Sequence, residues 1–353
     1  MAVDPRALDE CIRAVGSRFP LLSGVTPRNA AKEHARLVSG WKNGEALSPA
    51  WERPPLDPAL LTSTQRMLTE TIARIDEERG WLALYRHRLI ELSRELAVVD
   101  AAFTDELPRA AAVRFDCDLT EGDAIAARFA DAASTEAGEL VATDDPNDPR
   151  SLLSQMRARI SALRLPVRIL VRERVGSLAA AGDGVVIVAQ NRRVPEPEIA
   201  RVVLHEIEGH VLPRERGRAL RHGIETLGSA GASEDEEGRA LLLEERASLL
   251  SAERQRVLSA RHRAARMVIA DATFVDVVRA TAELVPIADA VAIASRVMRG
   301  GYTRGRDVLG GVARERVYLP AYARVARAVA AEPALLDRLG SCRLSLAAWQ
   351  MLV

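Results

Sequence analysis

A histidine–glutamate pair near the middle of the chain is followed by a second histidine, in the order His205-Glu206-Ile207-Glu208-Gly209-His210. In zinc hydrolases, paired histidines of this kind bind the metal, and the glutamate accepts a proton from the attacking water. His205 and His210 are therefore candidate metal ligands, and Glu206 is the candidate general base. The motif predicts metal-dependent hydrolysis.

The two histidines are one residue further apart than in the usual H-E-x-x-H motif. On an ideal α-helix, residues five positions apart point about 140° away from each other. His205 and His210 can therefore bind one ion only where the helix widens locally or ends between them. A π-type bulge would bring His210 back toward His205, and Gly209 and Pro213 are placed to permit such a bulge or to end the helix.

A catalytic zinc ion usually has three protein ligands and one open position, so a third ligand is expected on another element. The acidic stretch Glu234-Asp235-Glu236-Glu237 is the obvious source. The same stretch is also typical of a solvated first turn, in which carboxylates face the positive end of a helix dipole. The pattern alone leaves both interpretations open.

Composition and charge exclude several classes of protein. The chain has 353 residues, of which 48% are apolar and 28% charged, and this suits a soluble protein of one large or two fused domains. The 49 acidic and 49 basic residues balance, so nucleic-acid and membrane partners are not expected. No apolar run approaches the roughly 20 residues of a membrane span. The N-terminus lacks a signal-peptide pattern, and Cys11, Cys117 and Cys342 are far apart, which predicts reduced thiols in the cytoplasm.

Apolar periodicity predicts a mostly helical chain. Helices are expected over Pro5–Ser17, Pro27–Trp41 and Pro58–Val98, with Gly80 as a possible break in the last. Between Asp105 and Asp148 the chain becomes polar and acidic, which predicts a linker or surface loop. We therefore expect a helical N-terminal region over residues 1–145 and a catalytic domain over residues 146–353.

Two β-branched runs stand just before the histidine motif, at Val167–Val171 and Val185–Val188. They predict strands of a small sheet beside the metal helix, which would hold extended substrate backbone. Pro195-Glu196-Pro197-Glu198 supplies the proline and acidic residues that favour the start of a helix. The predicted fold class is α+β and predominantly helical.

Several segments together resemble the tyrosine carboxypeptidase family, which includes the microtubule-associated enzyme that trims the terminal tyrosine of α-tubulin and bacterial QEGLA-motif proteins. His205 to His210 resembles the family's six-residue histidine motif, and Glu236-Glu237-Gly238-Arg239-Ala240 resembles its Q-E-G-L-A motif. The later segment from Arg296 to Tyr318 and the early Pro27-Arg28-Asn29 are also similar to family patterns. Glu208-Gly209 replaces Gly-Thr in the first motif, and in the second Glu236 replaces Gln and Arg239 replaces Leu.

The resemblance implies a zincin-like metallopeptidase in which Glu237 is the third ligand of Zn²⁺, beside His205 and His210. It implies a carboxypeptidase that hydrolyses the C-terminal peptide bond of peptides or proteins, with an aromatic residue such as tyrosine as one expected product. An exopeptidase also needs a partner for the terminal carboxylate of its substrate, and an arginine binds carboxylate bidentately. Arg299 and Tyr318 are the candidates, because both lie in the family-like C-terminal segment.

Two alternatives remain open at this point. An endopeptidase could use the same metal site, and it is favoured if no cation closes one side of the cleft. A metal-stabilised regulatory or binding protein without peptidase activity is the other alternative. Glu208 would support this regulatory or binding interpretation if its carboxylate occupied the open position on the metal. No basic tail is evident, so tubulin is not carried over as a substrate, and the oligomeric state stays open.

Overall fold

The computed structural model describes residues 3–133, 138–173 and 176–352, and these residues are mostly helical with three small sheets. The helices before the histidine motif are α1 Pro5–Arg18, α2 Leu21–Val25, α3 Ala30–Lys42, α4 Pro58–Ile72, α5 Gly80–Ala101, α6 Leu107–Arg114, α7 Thr120–Ala130, α8 Leu152–Ala162 and α9 Glu196–Val203. A π-helix, Leu204–Val211, continues directly from α9. The later helices are α10 Leu212–Gly217, α11 Ile224–Leu227, α12 Ala232–Arg246, α13 Ala252–Ile269, α14 Phe274–Ala282, α15 Ile287–Val297, a 3₁₀ turn Arg314–Val317, α16 Tyr318–Ala331, α17 Leu335–Leu339 and α18 Leu346–Leu352.

The strands are short and form three separate sheets. They are β1 Leu140–Ala142, β2 Arg168–Arg172, β3 Ala179–Ala181, β4 Val185–Ala189, β5 Arg193–Pro195, β6 Tyr302–Arg304 and β7 Asp307–Leu309. In the three-stranded sheet, β4 lies in the centre, parallel to β2 and antiparallel to β3. The pairs β1–β5 and β6–β7 are antiparallel. The strand β3 is therefore an edge strand.

Most predicted elements are confirmed. Both β-branched runs are strands, and the predicted helix over 58–98 is two helices, with Gly80 at a positive φ of 78° at the start of the second. The predicted linker between Asp105 and Asp148 is wrong in its first half, because α6 and α7 occupy it. These helices bury apolar residues such as Leu107 and Phe129 despite their polar composition, and that amphipathic packing outweighs the acidic residues around them.

One compact unit, here the first unit, combines Met1–Ala132 with Glu253–Pro320 and also takes in Leu352. Its largest core packs α13, α14 and α15 around α3, with Leu37 and Phe274 fully buried. A second cluster joins α5 and α6 to the turn before α16 through Leu107, Phe115 and Val317.

The second unit comprises Ala133–Ala252 and Ala321–Met351. Its core lies between the three-stranded sheet, α8 and the α9–π-helix segment. Val186 and Val188 of β4 pack here with Ile207 and Val211 of the π-helix. A small sheet thus lies beside the histidine motif, as predicted. These units divide the chain differently from the predicted regions, because residues 253–320 pack with the N-terminal helices; the boundary at residue 145 stays a prediction. Within the described ranges, no helix combines the length and apolar character that crossing a bilayer requires.

Candidate metal centre

The histidine motif lies on a π-helix and not on a regular α-helix. Within it, the amide of Leu212 donates to the carbonyl of Ile207, five residues earlier, where an α-helix would pair residues four apart. This widening brings the Nε2 atoms of His205 and His210 to 3.3 Å. The predicted bulge is confirmed, and the helix continues through Pro213 into α10.

The local sequence explains how the widened helix is tolerated. In a π-helix the carbonyl of Glu208 would pair with the amide of residue 213, but Pro213 has no N–H. The guanidinium of Arg239 supplies the missing donor and reaches that carbonyl at 2.7 Å. Gly209 lets α12 approach closely, because a Cβ atom there would lie 2.8 Å from the Cβ of Ala240. Arg239 stands where the family motif has Leu, and its guanidinium thus has a defined partner, the carbonyl of Glu208.

Three potential ligand atoms converge at this point. Among the described residues, the metal-binding group that emerges is His205, His210 and Glu237, whose ligand atoms all lie within 4.8 Å of one another. The Oε2 atom of Glu237 is 3.6 Å from Nε2 of His205 and 3.9 Å from Nε2 of His210. Ligands bound tetrahedrally to zinc at about 2.0–2.1 Å are about 3.3–3.4 Å apart. The trio therefore fits a small tetrahedral cation after a slight contraction.

Glu206, the candidate general base, is held by the edge strand β3. Its carboxylate Oε2 accepts a hydrogen bond of 2.9 Å from the backbone amide of Ala181. This contact fixes one carboxylate oxygen and leaves the other available to a reactant. The strand β3 was not predicted, because Ala179-Ala180-Ala181 lacks the β-branched residues that mark strands.

Glu244 is a functional candidate that sequence reasoning missed. Its carboxylate is fully buried and lies 2.7 Å from Nδ1 of His205, on the side of the ring away from Glu237. Arg201 binds the same carboxylate oxygen at 3.0 Å and also pairs with Glu198. Such a carboxylate fixes the tautomer and orientation of a metal-binding imidazole. The available signal was the spacing, since Glu237 and Glu244 are seven residues apart and so share one face of α12.

Glu236 has a comparable relation to His210. Its Oε2 atom lies 3.7 Å from Nδ1 of His210, while Arg343 binds both carboxylate oxygens at 2.6 and 3.1 Å. Burial opposes ionisation of this carboxyl, but Arg343 and His210 outweigh it and lower the pKa of Glu236 to about 2. The substitution of Glu for Gln at this position is thus matched by an arginine.

The charge of His205 is also set by its neighbours. Burial disfavours the imidazolium, but the carboxylates of Glu237 and Glu244 outweigh that effect and raise the pKa of His205 to about 9. A metal ion that binds His205 must therefore displace a proton at neutral pH. The acid-rich surroundings favour a positive charge at this point, whether a proton or a cation supplies it.

Glu208, whose position raised the possibility of a blocked site, faces Arg159 of α8. The Nε atom of Arg159 lies 2.6 Å from Oε1 of Glu208, and a terminal nitrogen of the same guanidinium contacts that oxygen. Its carboxylate is thus engaged by Arg159, and the candidate ligand group of His205, His210 and Glu237 does not include it. The contact with Arg159 therefore gives no support to a metal site whose open position is blocked by Glu208.

Arg299 and Tyr318, the candidate carboxylate-binding residues, belong to the first unit. The Nε atom of Arg299 donates to the carbonyl of Arg296 at 3.0 Å, and its side chain is 20% exposed. The ring of Tyr318 is buried among apolar residues, and its hydroxyl accepts a hydrogen bond of 3.2 Å from Arg296. Their role in substrate binding stays a prediction.

Comparison with known families gave an informative match. A family model described as microtubule-associated tyrosine carboxypeptidase matches residues 52–352, which include the π-helix, α12 and the segment from Arg296 to Tyr318. A comparison with curated proteins found no significant match.

Proposed function

We propose that this chain, which belongs to the microtubule-associated tyrosine carboxypeptidase family, is a zinc carboxypeptidase that hydrolyses the C-terminal peptide bond of peptides or proteins. A terminal tyrosine is the expected residue released, by analogy with the family description. The observation that carries the proposal is the convergence of His205, His210 and Glu237, in which a π-helix brings the two histidines together.

The donor set supports zinc as the metal. Two imidazoles and one carboxylate are the ligands of many catalytic zinc sites, which leave a fourth position open. A zinc ion held there would lower the pKa of a water molecule toward about 7 and polarise the scissile carbonyl. His205 would be kept in the binding tautomer by Glu244, and His210 would be flanked by Glu236.

Glu206 would carry the proton transfers. Its carboxylate is held at one oxygen by the amide of Ala181, so the other oxygen can accept a proton from the attacking water. It would then pass that proton to the nitrogen of the leaving residue. The edge strand β3 that positions Glu206 would also offer backbone groups to an extended substrate chain.

Mass spectrometry of peptides with varied C-terminal residues tests the proposal. The peptides are incubated with zinc-loaded protein and, in parallel, with its Glu206→Gln variant. We expect the wild-type protein to remove single C-terminal residues, and the variant to bind zinc without cleaving. Internal cuts would support the endopeptidase instead, and absence of cleavage with zinc bound would support a regulatory metal site.

A further inference from the structure

A cavity of about 530 Å³ lies in the first unit, and none of the candidate metal-centre residues lines it. Its volume is within the roughly 300–1,000 Å³ of typical ligand sites. Its walls come from the segment between α3 and α4, from the loop that follows α5 and from the strand β6. Each of these segments contributes one aromatic residue, namely Trp51, Phe103 and Tyr302. We refer to this feature as the β6 cavity.

Two of the aromatic rings are held from behind and not by each other. The ring of Trp51 meets that of Phe274 edge to face, with the ring centroids 6.1 Å apart, and its indole N–H has no acceptor among the residues that the structure describes. The ring of Tyr302 lies against Gly310, where a Cβ atom would be 3.1 Å from the ring. Both rings are therefore fixed before any ligand arrives.

Phe103 has a backbone conformation that bulky residues rarely adopt. Its φ is 66°, in the left-handed region, and its amide donates to the carbonyl of Gly300 at 2.5 Å. Such strain persists only where the surrounding contacts fix it, and it is concentrated at functional sites and ligand clamps. The strained turn after α5 thus places the third aromatic residue in the cavity wall.

The strand β6 brings an unpaired backbone edge to the cavity. Arg304 and Asp307 flank the two-residue turn between β6 and β7, so they form a hydrogen-bonded pair. In the next pair, Thr303 and Val308, the backbone groups point away from the partner strand. The amide of Val308 accordingly donates to Oγ of Ser48 at 3.2 Å, outside the hairpin. The amide and carbonyl of Thr303 lie at the cavity, with no hydrogen-bond partner in the part of the chain that the structure describes.

The rim of the cavity carries more positive than negative charge. Arg53 and Arg304 line it, and Asp105 is the carboxylate among the lining residues. A terminal nitrogen of Arg53 donates to the carbonyl of Asp100 at 3.1 Å, which holds that guanidinium in place. Arg304 is exposed, and no carboxylate pairs with it within residues 3–133, 138–173 and 176–352. A ligand with a carboxylate would therefore complement the rim.

We propose that the β6 cavity binds an internal, extended segment of another polypeptide, which adds a strand to β6 and inserts an aromatic or large aliphatic side chain between Trp51, Phe103 and Tyr302. The backbone of that segment exchanges two hydrogen bonds with Thr303, and an adjacent acidic side chain pairs with Arg304. In this mode of recognition main-chain pairing supplies affinity, and the side-chain cavity supplies selectivity. The proposal does not rest on the proposed carboxypeptidase function, because it requires neither a free C-terminus nor the metal centre.

Fluorescence anisotropy with labelled heptapeptides tests the proposal. The peptides are acetylated and amidated, so they have no free C-terminus, and the full-length Glu206→Gln protein is used so that they stay intact. The central residue and one neighbour are varied, and the other positions are Thr, which favours an extended backbone. We expect a central aromatic or large aliphatic residue beside Glu to bind at least about tenfold more tightly than a central Ser, or than the same residue beside Lys. Absence of saturable binding by every peptide would overturn the proposal.

Thr303→Pro separates strand addition from simple filling of the cavity. The substitution removes an N–H that has no protein partner among the described residues, and proline is tolerated on an edge strand where that N–H faces solvent. We expect binding to weaken by about tenfold, because a hydrogen bond is lost and the ring blocks the approach of the peptide. Thr303→Val keeps the N–H and the β-branch, so this matched control should bind as the parent does. Equal binding by both variants would contradict strand addition.

N-methylation of the peptide probes the same contact without changing the protein. Each backbone amide is methylated in turn, and binding to the unchanged protein is measured. Loss of binding is expected at the amide that pairs with Thr303, whereas methylation of its two neighbours should be tolerated, because successive amides of a strand point in opposite directions. Equal tolerance at all positions would show that the peptide does not bind as a strand.

Arg304→Gln tests the charge complementarity of the rim. It should remove the preference for Glu over Lys beside the central residue and leave the preference for an aromatic or aliphatic centre. Arg306→Gln is the matched control, since Arg306 lies in the turn of the same hairpin and does not line the cavity. A preference for Glu that survives Arg304→Gln would overturn the role assigned to Arg304.

Discussion

The candidate metal centre of the second unit and the buried Arg261 of the first unit differ in how their charged groups are partnered. Around His205 and His210, the neighbouring carboxylates have protein partners: Arg201 binds Glu244, and Arg343 binds Glu236. At Arg261, the buried Nε atom finds no acceptor within the part of the chain that the structure describes. The carboxylates in the first region are therefore held by protein contacts, whereas the donor in the second is not. The difference lies in whether the protein itself supplies the partner of each buried charge.

Removal of a candidate metal ligand should have the largest effect on zinc binding and on peptide cleavage. Glu237→Gln keeps the side-chain volume but removes the negative charge that completes the trio. We expect loss of stoichiometric zinc, measured by elemental mass spectrometry after gel filtration, and loss of peptide cleavage. Glu206→Gln should retain zinc, and Arg261→Gln should too. Retention of one zinc per chain by Glu237→Gln would show that Glu237 is not a ligand.

Removal of the carboxylate behind His205 should have an intermediate effect. Glu244→Gln leaves an acceptor for Nδ1 of His205 but no charge to pair with Arg201. Loss of such an outer partner typically weakens metal affinity by about 10- to 100-fold. Competition with a zinc chelator measures the change, and the exposed neighbour Glu245, changed to Gln, is the matched control. Equal zinc affinity in both variants would limit Glu244 to a structural role.

The smallest effect is expected at the Arg159–Glu208 pair beside the metal centre. The side chain of Arg159 is 45% exposed, and ion pairs of this kind contribute at most about 1 kcal/mol. Arg159→Gln should therefore change the free energy of unfolding, measured in urea, by less than about 1 kcal/mol and leave zinc affinity unchanged. Tighter zinc binding with lost cleavage would indicate that the released Glu208 occupies the open position.

Much of the candidate metal centre could be predicted from the sequence. The five-residue spacing of His205 and His210 required either a widened helix or a helix end, and the π-helix is the former. The β-branched runs specified β2 and β4, because their side chains favour a half-buried pleated surface. Glu237 was proposed as a ligand through family resemblance, and its position beside the two histidines is consistent with that role.

Other features depended on contacts between distant parts of the chain. The alanines of β3 carry no strand signal, and their pairing with β4 alone places the amide of Ala181 on Glu206. The return of residues 253–320 to the N-terminal helices is decided by the packing of α13–α15 on α3. Local pattern cannot specify such contacts, because they arise from burial shared between segments far apart in sequence.

The sequence by itself determined which chemistry is available: histidines and glutamates of the types that bind metal ions, at a spacing that constrains the helix carrying them. Only the tertiary structure decided which of the chain's many glutamates and arginines have partners. Glu244 is paired with His205 and Arg201, whereas the Nε of Arg261 has no acceptor among residues 3–133, 138–173 and 176–352. Residue type sets the charge of a side chain, but the free energy of burying that charge depends on neighbours that folding alone brings together.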